Sequence, residues 1–412
     1  MLFSNPRAVR MSYPAEFQAI MSIARAGESR RWLSTWPGVS SPTPLRELPD
    51  LASKLQVARL SVKDESVRSP LGSFKALGAP IALVRQILRL HPGFRPEDIL
   101  AGRHADMLAD YTVITATDGN HGRSLAAAAR DAGCRCVIVL HAGVSREREE
   151  AIAAYGARIV RIAGNYDASV EEAARLAAAN GWRVVSDTTY EGYQDIPRDV
   201  MQGYGSIAAE VAEQTGTRCD GECAYTHVFL QGGVGALAAG VASWLWEYHG
   251  ERRPGFVLVE PEQADCLLQS AIQGHAAKAT GSVDSVMAGL ACGETSPLAW
   301  RFLDPIVDHC MTIADDDAIE TMRLLARGNA RDTPIVAGES GAAGLAALRV
   351  LRRQADLSAQ AGLDARSRVL VINTEGATDP RMYGKLVGAS PAAIAGMARA
   401  FAVDTSHDIH RI

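Results

Sequence analysis

The sequence has 412 residues, of which 47% are hydrophobic and 22% are charged, and its formal net charge is −5. This length favours two domains, and the small net charge gives no reason to expect nucleic acid or an anionic membrane surface as a partner. No apolar run reaches the ~18–20 residues of a membrane-spanning helix, and residues 1–10 lack the apolar stretch of a signal peptide. We therefore expect a cytoplasmic enzyme.

The first notable feature along the chain is a lysine in front of a predicted helix. The stretch S-V-R-S-P-L-G-S-F-K-A-L-G at 66–78 places Lys75 among small and apolar residues, and the residues after it have helical periodicity. Such a lysine either reaches water from a helix end or is kept inside the protein for chemistry. In the second case we expect burial to lower its pKa.

Strand-like runs of β-branched residues then alternate with alanine-rich helical segments. This alternation predicts parallel sheets covered by helices on both faces, and Gly133 and Gly181 are predicted to end two of the helices in the left-handed conformation. We expect residues 86–187 to form a small α/β domain, and residues 1–85 with 188–412 to form a larger one. The predicted strands lie at 112–116, 136–140, 158–162, 182–186, 227–230, 255–260 and 368–373.

Three segments that follow predicted strands have the composition of ligand-binding loops. A-T-D-G-N-H-G at 116–122 and Q-G-G-V-G-A-L-A-A-G at 231–240 each lie between a strand and a helix. Such turns gather at one edge of a parallel sheet, where backbone N–H groups and helix N-termini bind anions. Taken alone, the first loop is equally consistent with an ordinary turn capped by Asp118. The third segment places the hydroxyl of Thr374 at the end of the last strand.

The second loop also matches a dinucleotide-binding pattern. Residues 233–238 read G-V-G-A-L-A, and Glu260 ends the next predicted strand, as in NAD-binding proteins. This alternative gives no role to Lys75. In contrast, a lysine that forms a Schiff base, a glycine loop that holds a phosphate and a hydroxyl that faces a ring nitrogen together describe a pyridoxal phosphate site.

Five short segments resemble the fold type II pyridoxal phosphate enzymes, the group of threonine dehydratase and serine racemase. They are G-S-F-K at 72–75, D-G-N-H-G at 118–122, G-G-V-G at 232–235, G-E-S-G-A at 338–342 and N-T-E-G at 373–376. Four further stretches, at 62–66, 187–193, 196–204 and 287–294, resemble the diaminopropionate ammonia-lyases more particularly. Tyr190 departs from that family, in which we expect tryptophan.

The resemblance implies an α/β fold of type II, with two domains that each contain a largely parallel twisted sheet flanked by helices. It implies a homodimer that converts D- and L-2,3-diaminopropionate to pyruvate and two ammonia. From the chemistry of that substrate we expect Lys75 and Asp118 to be catalytic, with Lys75 as the base for the L isomer and Asp118, on the opposite face, as the base for the D isomer. Cofactor contacts are expected from Phe74, Lys75, Asn120, Gly232, Gly233, Val234, Gly235, Ala236 and Thr374. Substrate contacts are expected from Asp118, His121 and Asp187.

Alternatives remain open at this point. One alternative function is that of a threonine or serine dehydratase of the same fold type. Asp118 argues against it, because the dehydratases usually have serine at this position. No metal is expected, because Cys219, Cys223 and His227 do not have the spacing of a common zinc site. Cys266 and Cys292 either form a disulfide or are free thiols, and the expected cytoplasmic location favours free thiols.

Overall fold

The computed structural model describes residues 1–37, 39, 42–117, 119–189, 192–219 and 221–409; for Asp167 and residues 403–409 it describes the backbone only. Within this part of the chain, strands form one seven-stranded and one four-stranded sheet. The strands are β1 (Leu2–Ser4), β2 (Leu45–Glu47), β3 (Arg59–Asp64), β4 (Thr112–Ala116), β5 (Arg135–Leu140), β6 (Arg158–Arg161), β7 (Arg183–Val184), β8 (His227–Gln231), β9 (Gly255–Pro261), β10 (His309–Ile313) and β11 (Arg368–Asn373).

The helices of the described residues alternate with these strands, and four single turns of 3₁₀ helix lie at 65–67, 74–77, 250–252 and 288–290. The helices are α1 (Ala15–Gln18), α2 (Ile23–Leu33), α3 (Pro49–Lys54), α4 (Ala79–Leu90), α5 (Pro96–Leu100), α6 (Ala105–Leu108), α7 (Asn120–Ala132), α8 (Arg146–Ala153), α9 (Tyr166–Asn180), α10 (Asp195–Thr215), α11 (Ala236–His249), α12 (Cys266–Gln273), α13 (Pro297–Leu303), α14 (Asp315–Arg327), α15 (Ala343–Arg352), α16 (Ala355–Gln360), α17 (Pro380–Val387) and α18 (Pro391–Ile409).

The larger sheet has the strand order β1-β10-β9-β8-β11-β3-β2. Its five central strands are parallel, and the two edge strands β1 and β2 pair in the antiparallel direction. Alternate residues of β8 belong to different hydrophobic clusters, since Val228 and Leu230 pack on one face and Phe229 on the other. The sheet is therefore buried on both faces, as parallel sheets require.

The smaller sheet is parallel throughout, with the order β6-β5-β4-β7. Its strands lie at the four positions predicted between residues 86 and 187, but the division of the chain into two domains stays a prediction. One face packs in the same cluster as α4, α7 and α10, and the other face packs on Ala173 and Ala177 of α9. The main hydrophobic core therefore continues from one sheet to the other.

The prediction of strands from β-branched runs is confirmed for seven strands, and Gly133 (φ +80°) and Gly181 (φ +68°) end α7 and α9 in the left-handed conformation as predicted. The sequence analysis missed β1, β2, β3 and β10. Strand β3 reads R-L-S-V-K-D, and the charged residues Lys63 and Asp64 interrupt the apolar pattern by which a buried strand is predicted. The strand is nevertheless buried. Lys63 is accommodated there because its ammonium pairs with Glu210 at 2.6 Å.

The remaining findings on the fold concern metals and membranes. Among residues 1–409 as far as they are described, no group of three or more His, Cys, Asp or Glu side chains is arranged to hold a metal ion. None of the described helices combines the length and the apolar character needed to cross a bilayer.

Candidate active site

The predicted loops meet at one cleft. The carboxyl ends of β4, β8 and β11 all open into it, together with the 3₁₀ turn Phe74–Leu77. Ligands bind at the carboxyl ends of parallel strands, and here the ends of strands from both sheets line the same cleft. The cleft is thus the candidate active site.

Lys75 is held in this cleft by a turn that is fixed from two sides. The N–H of Phe74 donates to the carbonyl of Thr374 at 3.0 Å, and the Ser124 hydroxyl donates to the carbonyl of Lys75 at 2.8 Å. Gly72, with φ +70°, supplies the reversal that leads into the turn. The Lys75 side chain therefore starts from a rigid position between β11 and α7.

The amine of Lys75 pairs with the carboxylate of Asp187, which lies just after β7. Burial opposes the charge on Lys75, but the attraction of Asp187 outweighs it and raises the pKa of Lys75 above its ordinary value. Burial likewise opposes the charge on Asp187, but the Lys75 ammonium beside it lowers the pKa of that carboxyl below its usual range. The prediction that burial lowers the pKa of Lys75 is therefore wrong for the free amine, because it left out a counter-ion.

His121 and Asn120 begin α7 beside this ion pair. The His121 ring is 5% exposed, and its Nε2 lies 2.8 Å from the carbonyl of Val185, while Nδ1 lies 3.9 Å from Asp187 Oδ2. Burial lowers the pKa of His121, so the ring is neutral and Nε2 donates to that carbonyl. Asn120 lines the cleft and donates through Nδ2 to Glu375 Oε2 at 2.5 Å. Asp118 and Tyr190 lie outside the described residues.

The glycine loop between β8 and α11 presents backbone amides to the cleft. Gly233 (φ +62°) and Gly235 (φ +97°) both have left-handed conformations that favour glycine. The N–H of Gly232 donates to Val259 at 2.9 Å, and that of Gly235 donates to Gly232 at 3.2 Å. The amides of Gly232 and Gly235 therefore help to shape the loop, and contact of these residues with a cofactor stays a prediction.

The remaining amides of the predicted set are those of Gly233, Val234 and Ala236. They donate to no acceptor in the described part of the chain, and all three residues line the cleft. They also lie at the N-terminus of α11, a helix of 14 residues, where the helix dipole favours an anion. This part of the loop is thus suited to a phosphate group.

Glu260 does not serve the dinucleotide alternative. Its carboxylate accepts hydrogen bonds from the N–H groups of Leu267 at 2.9 Å and Leu268 at 2.8 Å, in the first turn of α12. The side chain is 1% exposed, and burial raises its pKa to about 8. A ribose cannot reach this buried carboxyl group. Glu260 instead stabilises the first turn of α12, which accounts for an acidic residue at the end of β9.

The cleft also contains residues that the sequence analysis did not select as site residues. Arg148 and Tyr166 come from α8 and α9, and Ser340, Glu375 and Cys292 come from loops of the other part of the chain. Glu375, Ser340 and Cys292 lie in segments that the resemblance marks, N-T-E-G, G-E-S-G-A and 287–294, and could have been found there. No motif marks Arg148 and Tyr166. Phe74 and Thr374 also line the cleft, and Cys266 and Cys292 are not joined by a disulfide bond.

Comparison with known proteins adds an independent observation. A family model described as "Pyridoxal-phosphate dependent enzyme" matches residues 38–375. Diaminopropionate ammonia-lyase from Escherichia coli strain K12 is 37% identical over 359 residues, which cover 86% of this chain and 89% of that protein. The chain belongs to the diaminopropionate ammonia-lyase family of pyridoxal phosphate-dependent enzymes. It is accordingly a carbon–nitrogen lyase with the type II fold.

Solved structures agree with this assignment. A crystal structure of the E. coli diaminopropionate ammonia-lyase in complex with an aminoacrylate-PLP azomethine reaction intermediate has a TM-score of 0.84 and 35% identity, and the match covers 94% of this chain and 96% of that one. Biosynthetic L-threonine dehydratase from E. coli K12 is 25% identical over 307 residues, which cover 52% of its length. The dehydratase alternative is thus a distant one.

The residues of the cleft fit pyridoxal phosphate on chemical grounds. The amine of Lys75 lines the same cleft as three amides at a helix N-terminus, and these amides have no acceptor among the described residues. A side chain at Gly233 would project toward Gly289 and Cys292, at 3.4 Å and 3.6 Å from their nearest atoms, and would occupy the space beside those amides. An aldehyde that carries a phosphate needs this combination of an amine and an anion site.

Proposed function

We propose that this protein converts 2,3-diaminopropionate of either configuration, with one water, to pyruvate and two molecules of ammonia. The observation that carries the proposal is the contact between the Lys75 amine and the Asp187 carboxylate in a cleft that also contains an uncommitted anion site. The names of its relatives support the choice of substrate. A homodimer and a cytoplasmic location belong to the same proposal.

The cofactor would be held by groups of three kinds. The amides of Gly233, Val234 and Ala236 would bind its phosphate, Thr374 would meet the ring nitrogen, and Asn120 would meet the ring oxygen. When bound, pyridoxal phosphate supplies a carbonyl carbon that reacts with amines and a conjugated ring that accepts an electron pair from the substrate. A neutral hydroxyl at Thr374 would leave the ring nitrogen unprotonated and limit side reactions.

The charges of the cleft match those of the substrate. Diaminopropionate carries a second ammonium on its β carbon, and Asp187 is a buried carboxylate that already binds an ammonium. Arg148 lines the same cleft, and no described residue forms an ion pair with it. We infer that Asp187 binds the β-ammonium and Arg148 the substrate carboxylate.

Proton transfer is assigned to Lys75 and Asp118. Lys75, once released from the cofactor and neutral, would remove the α proton of the L isomer, and Asp118 would remove it from the opposite face in the D isomer. The assignment of Asp118 rests on its place in the D-G-N-H-G segment. An ammonium on the substrate that binds Asp187 would also free Lys75 from its counter-ion.

The experiment that tests this function is pyruvate release from D-diaminopropionate, L-diaminopropionate, D-serine, L-serine and L-threonine, each at the same concentration. We expect the diaminopropionates to react at least tenfold faster, because only they carry the cation that Asp187 binds. The same assay on Asp118→Asn should lose activity on the D isomer alone. Faster release from threonine would replace the proposal with a dehydratase, and equal losses on both isomers would contradict the role of Asp118.

A further inference from the structure

A buried tyrosine hydroxyl without a hydrogen-bond partner lies beside the catalytic lysine. Tyr204 of α10 is 0% exposed, and within the described part of the chain its hydroxyl makes no hydrogen bond of normal geometry. Leaving a buried polar group unpaired is energetically unfavourable, so native proteins keep few of them. The hydroxyl therefore requires an explanation.

The Tyr204 ring is closely fitted to the turn that carries Lys75. It packs edge-on against Phe74, with 4.8 Å between ring centroids. A Cβ atom at Gly78 would lie 2.7 Å from the ring and from the hydroxyl oxygen, so glycine at this position makes room for the phenol. Tyr204 is not among the described residues that line the cleft, so it approaches Lys75 from the protein interior.

The described groups that face the Lys75 amine come from three directions. They are Asp187 after β7, Tyr204 from α10 and Cys292 from the loop before α13, and His121 of α7 lies behind Asp187. The Phe74 ring is 5.2 Å from Nζ. Burial raises the pKa of Tyr204 above its ordinary range, so the phenol is neutral and retains its proton.

The proton of Tyr204 lacks an acceptor only while Lys75 is charged. An ammonium has three N–H donors and no lone pair, whereas a neutral amine has a lone pair that accepts a hydrogen bond. While Lys75 is paired with Asp187, the phenol proton of Tyr204 therefore has no acceptor on Lys75. Neutralisation of Lys75 supplies the missing acceptor, and the phenol in turn stabilises the neutral amine.

We propose that Tyr204 is a positioning residue for Lys75, which holds the neutral amine by donating its phenol hydrogen to Nζ. This inference rests on the proposed function in one respect, since it assigns the neutral amine to the reacting state of Lys75. Asp187 and Tyr204 then act on Lys75 in opposite senses. Asp187 favours the ammonium, and Tyr204 favours the amine once a substrate cation occupies Asp187.

The test measures the reactivity of Lys75 in cofactor-free protein, independently of turnover. Protein without cofactor is mixed with pyridoxal 5′-phosphate over a range of pH, reduced with borohydride at intervals, and the attachment at Lys75 is quantified by peptide mass. Only the neutral amine attacks the aldehyde. In Tyr204→Phe we expect attachment near neutral pH to be about fivefold slower, which is the net effect of one hydrogen bond, and the pH midpoint to rise.

The matched control is Tyr225→Phe. Tyr225 is 2% exposed, its hydroxyl also has no hydrogen-bond partner among the described residues, and it is not part of the cleft lining. Both variants should keep or slightly raise the melting temperature, because each loses an unpaired buried group. The inference would be overturned by an unchanged rate in Tyr204→Phe or by an equal change of rate in Tyr225→Phe. It would also be overturned if the slower rate of Tyr204→Phe came with a clear fall in its melting temperature. Absence of attachment at Lys75 in the unaltered protein would instead overturn the proposed function.

Discussion

Asp187 is the described acid in direct contact with the Lys75 amine, and its charge determines the protonation of that lysine. The carboxylate raises the pKa of Lys75 although burial alone would lower it. If the carboxylate is removed, burial becomes the dominant effect and favours the neutral amine. The side chain that binds the substrate cation in our proposal is thus also the one that keeps the resting lysine charged.

For Asp187→Asn we expect the pH midpoint for attachment of pyridoxal 5′-phosphate to Lys75 to fall by at least one unit, because the ammonium loses its counter-ion. Turnover of diaminopropionate should nevertheless fall by 10-fold or more, because the β-ammonium loses the same partner. Attachment is measured by borohydride reduction and peptide mass over a pH series, and turnover by pyruvate release. A midpoint that stays constant or rises would show that Asp187 does not control the charge of Lys75.

The sequence predicts some of these residues and not others for a physical reason. Lys75, the glycine loop and Thr374 occur in short motifs, so residues close in sequence reveal them. Arg148 carries no motif, and Tyr204 lies in a stretch that is marked only by resemblance; both reach the site because α8 and α10 pack around it. The charge of Lys75 was predicted wrongly because its counter-ion lies 112 residues away in the chain.

Helix α10 determines where the Lys75 turn lies, through close approach of two backbones. A Cβ atom at Gly203 would lie 1.8 Å from the carbonyl oxygen of Leu77 and 2.7 Å from its carbon. Both are backbone atoms of the turn Phe74–Leu77, so a side chain there cannot be accommodated by a rotamer change. Gly240 of α11 approaches α10 in the same manner, 2.6 Å from the carbonyl oxygen of Met201.

We expect Gly203→Ala to lower the free energy of unfolding by about 1–3 kcal/mol, as overpacked cores do, and to slow attachment of the cofactor because the Lys75 turn must move. The matched control is Gly384→Ala in α17, where a Cβ atom would meet nothing within 4 Å. That substitution should stabilise the protein by about 0.5–1 kcal/mol through helix propensity. Urea unfolding and cofactor attachment measure both variants, and equal effects of the two would contradict the close-approach argument.

At the level of elements, the predicted strands and helix ends were those with local signals. Continuous β-branched runs revealed β4, β5, β8 and β11, and glycines revealed the ends of α7 and α9. The stretch that contains Gly203 and Tyr204 was recognised only by resemblance. Gly203 and Tyr204 are needed there because they contact a turn more than 120 residues earlier in the chain. Only the tertiary fold shows this contact.

In the molecule as a whole, the groups suited to the cofactor come from both sheets. The amides suited to an anion follow β8 of the seven-stranded sheet, whereas Asn120 follows β4 of the four-stranded sheet. Asp187 likewise follows β7 of the smaller sheet and contacts Lys75, which is anchored to Thr374 after β11. A ligand that contacts both sets of groups therefore links the two sheets, wherever the boundary between the two predicted domains lies.

We expect pyridoxal 5′-phosphate to raise the melting temperature of the cofactor-free protein clearly more than pyridoxal does at the same concentration. A ligand present at 100 times its Kd stabilises the folded state by about 2.7 kcal/mol, and one that binds weakly contributes far less. Both compounds carry the aldehyde that reacts with Lys75, but only the first carries the phosphate that the amides of Gly233, Val234 and Ala236 are placed to bind. In Lys75→Ala the phosphate contacts remain, so the advantage of pyridoxal 5′-phosphate should persist at reduced size. Equal stabilisation by the two compounds in the unaltered protein would remove the glycine loop from the cofactor site, since the aldehyde alone would then account for binding.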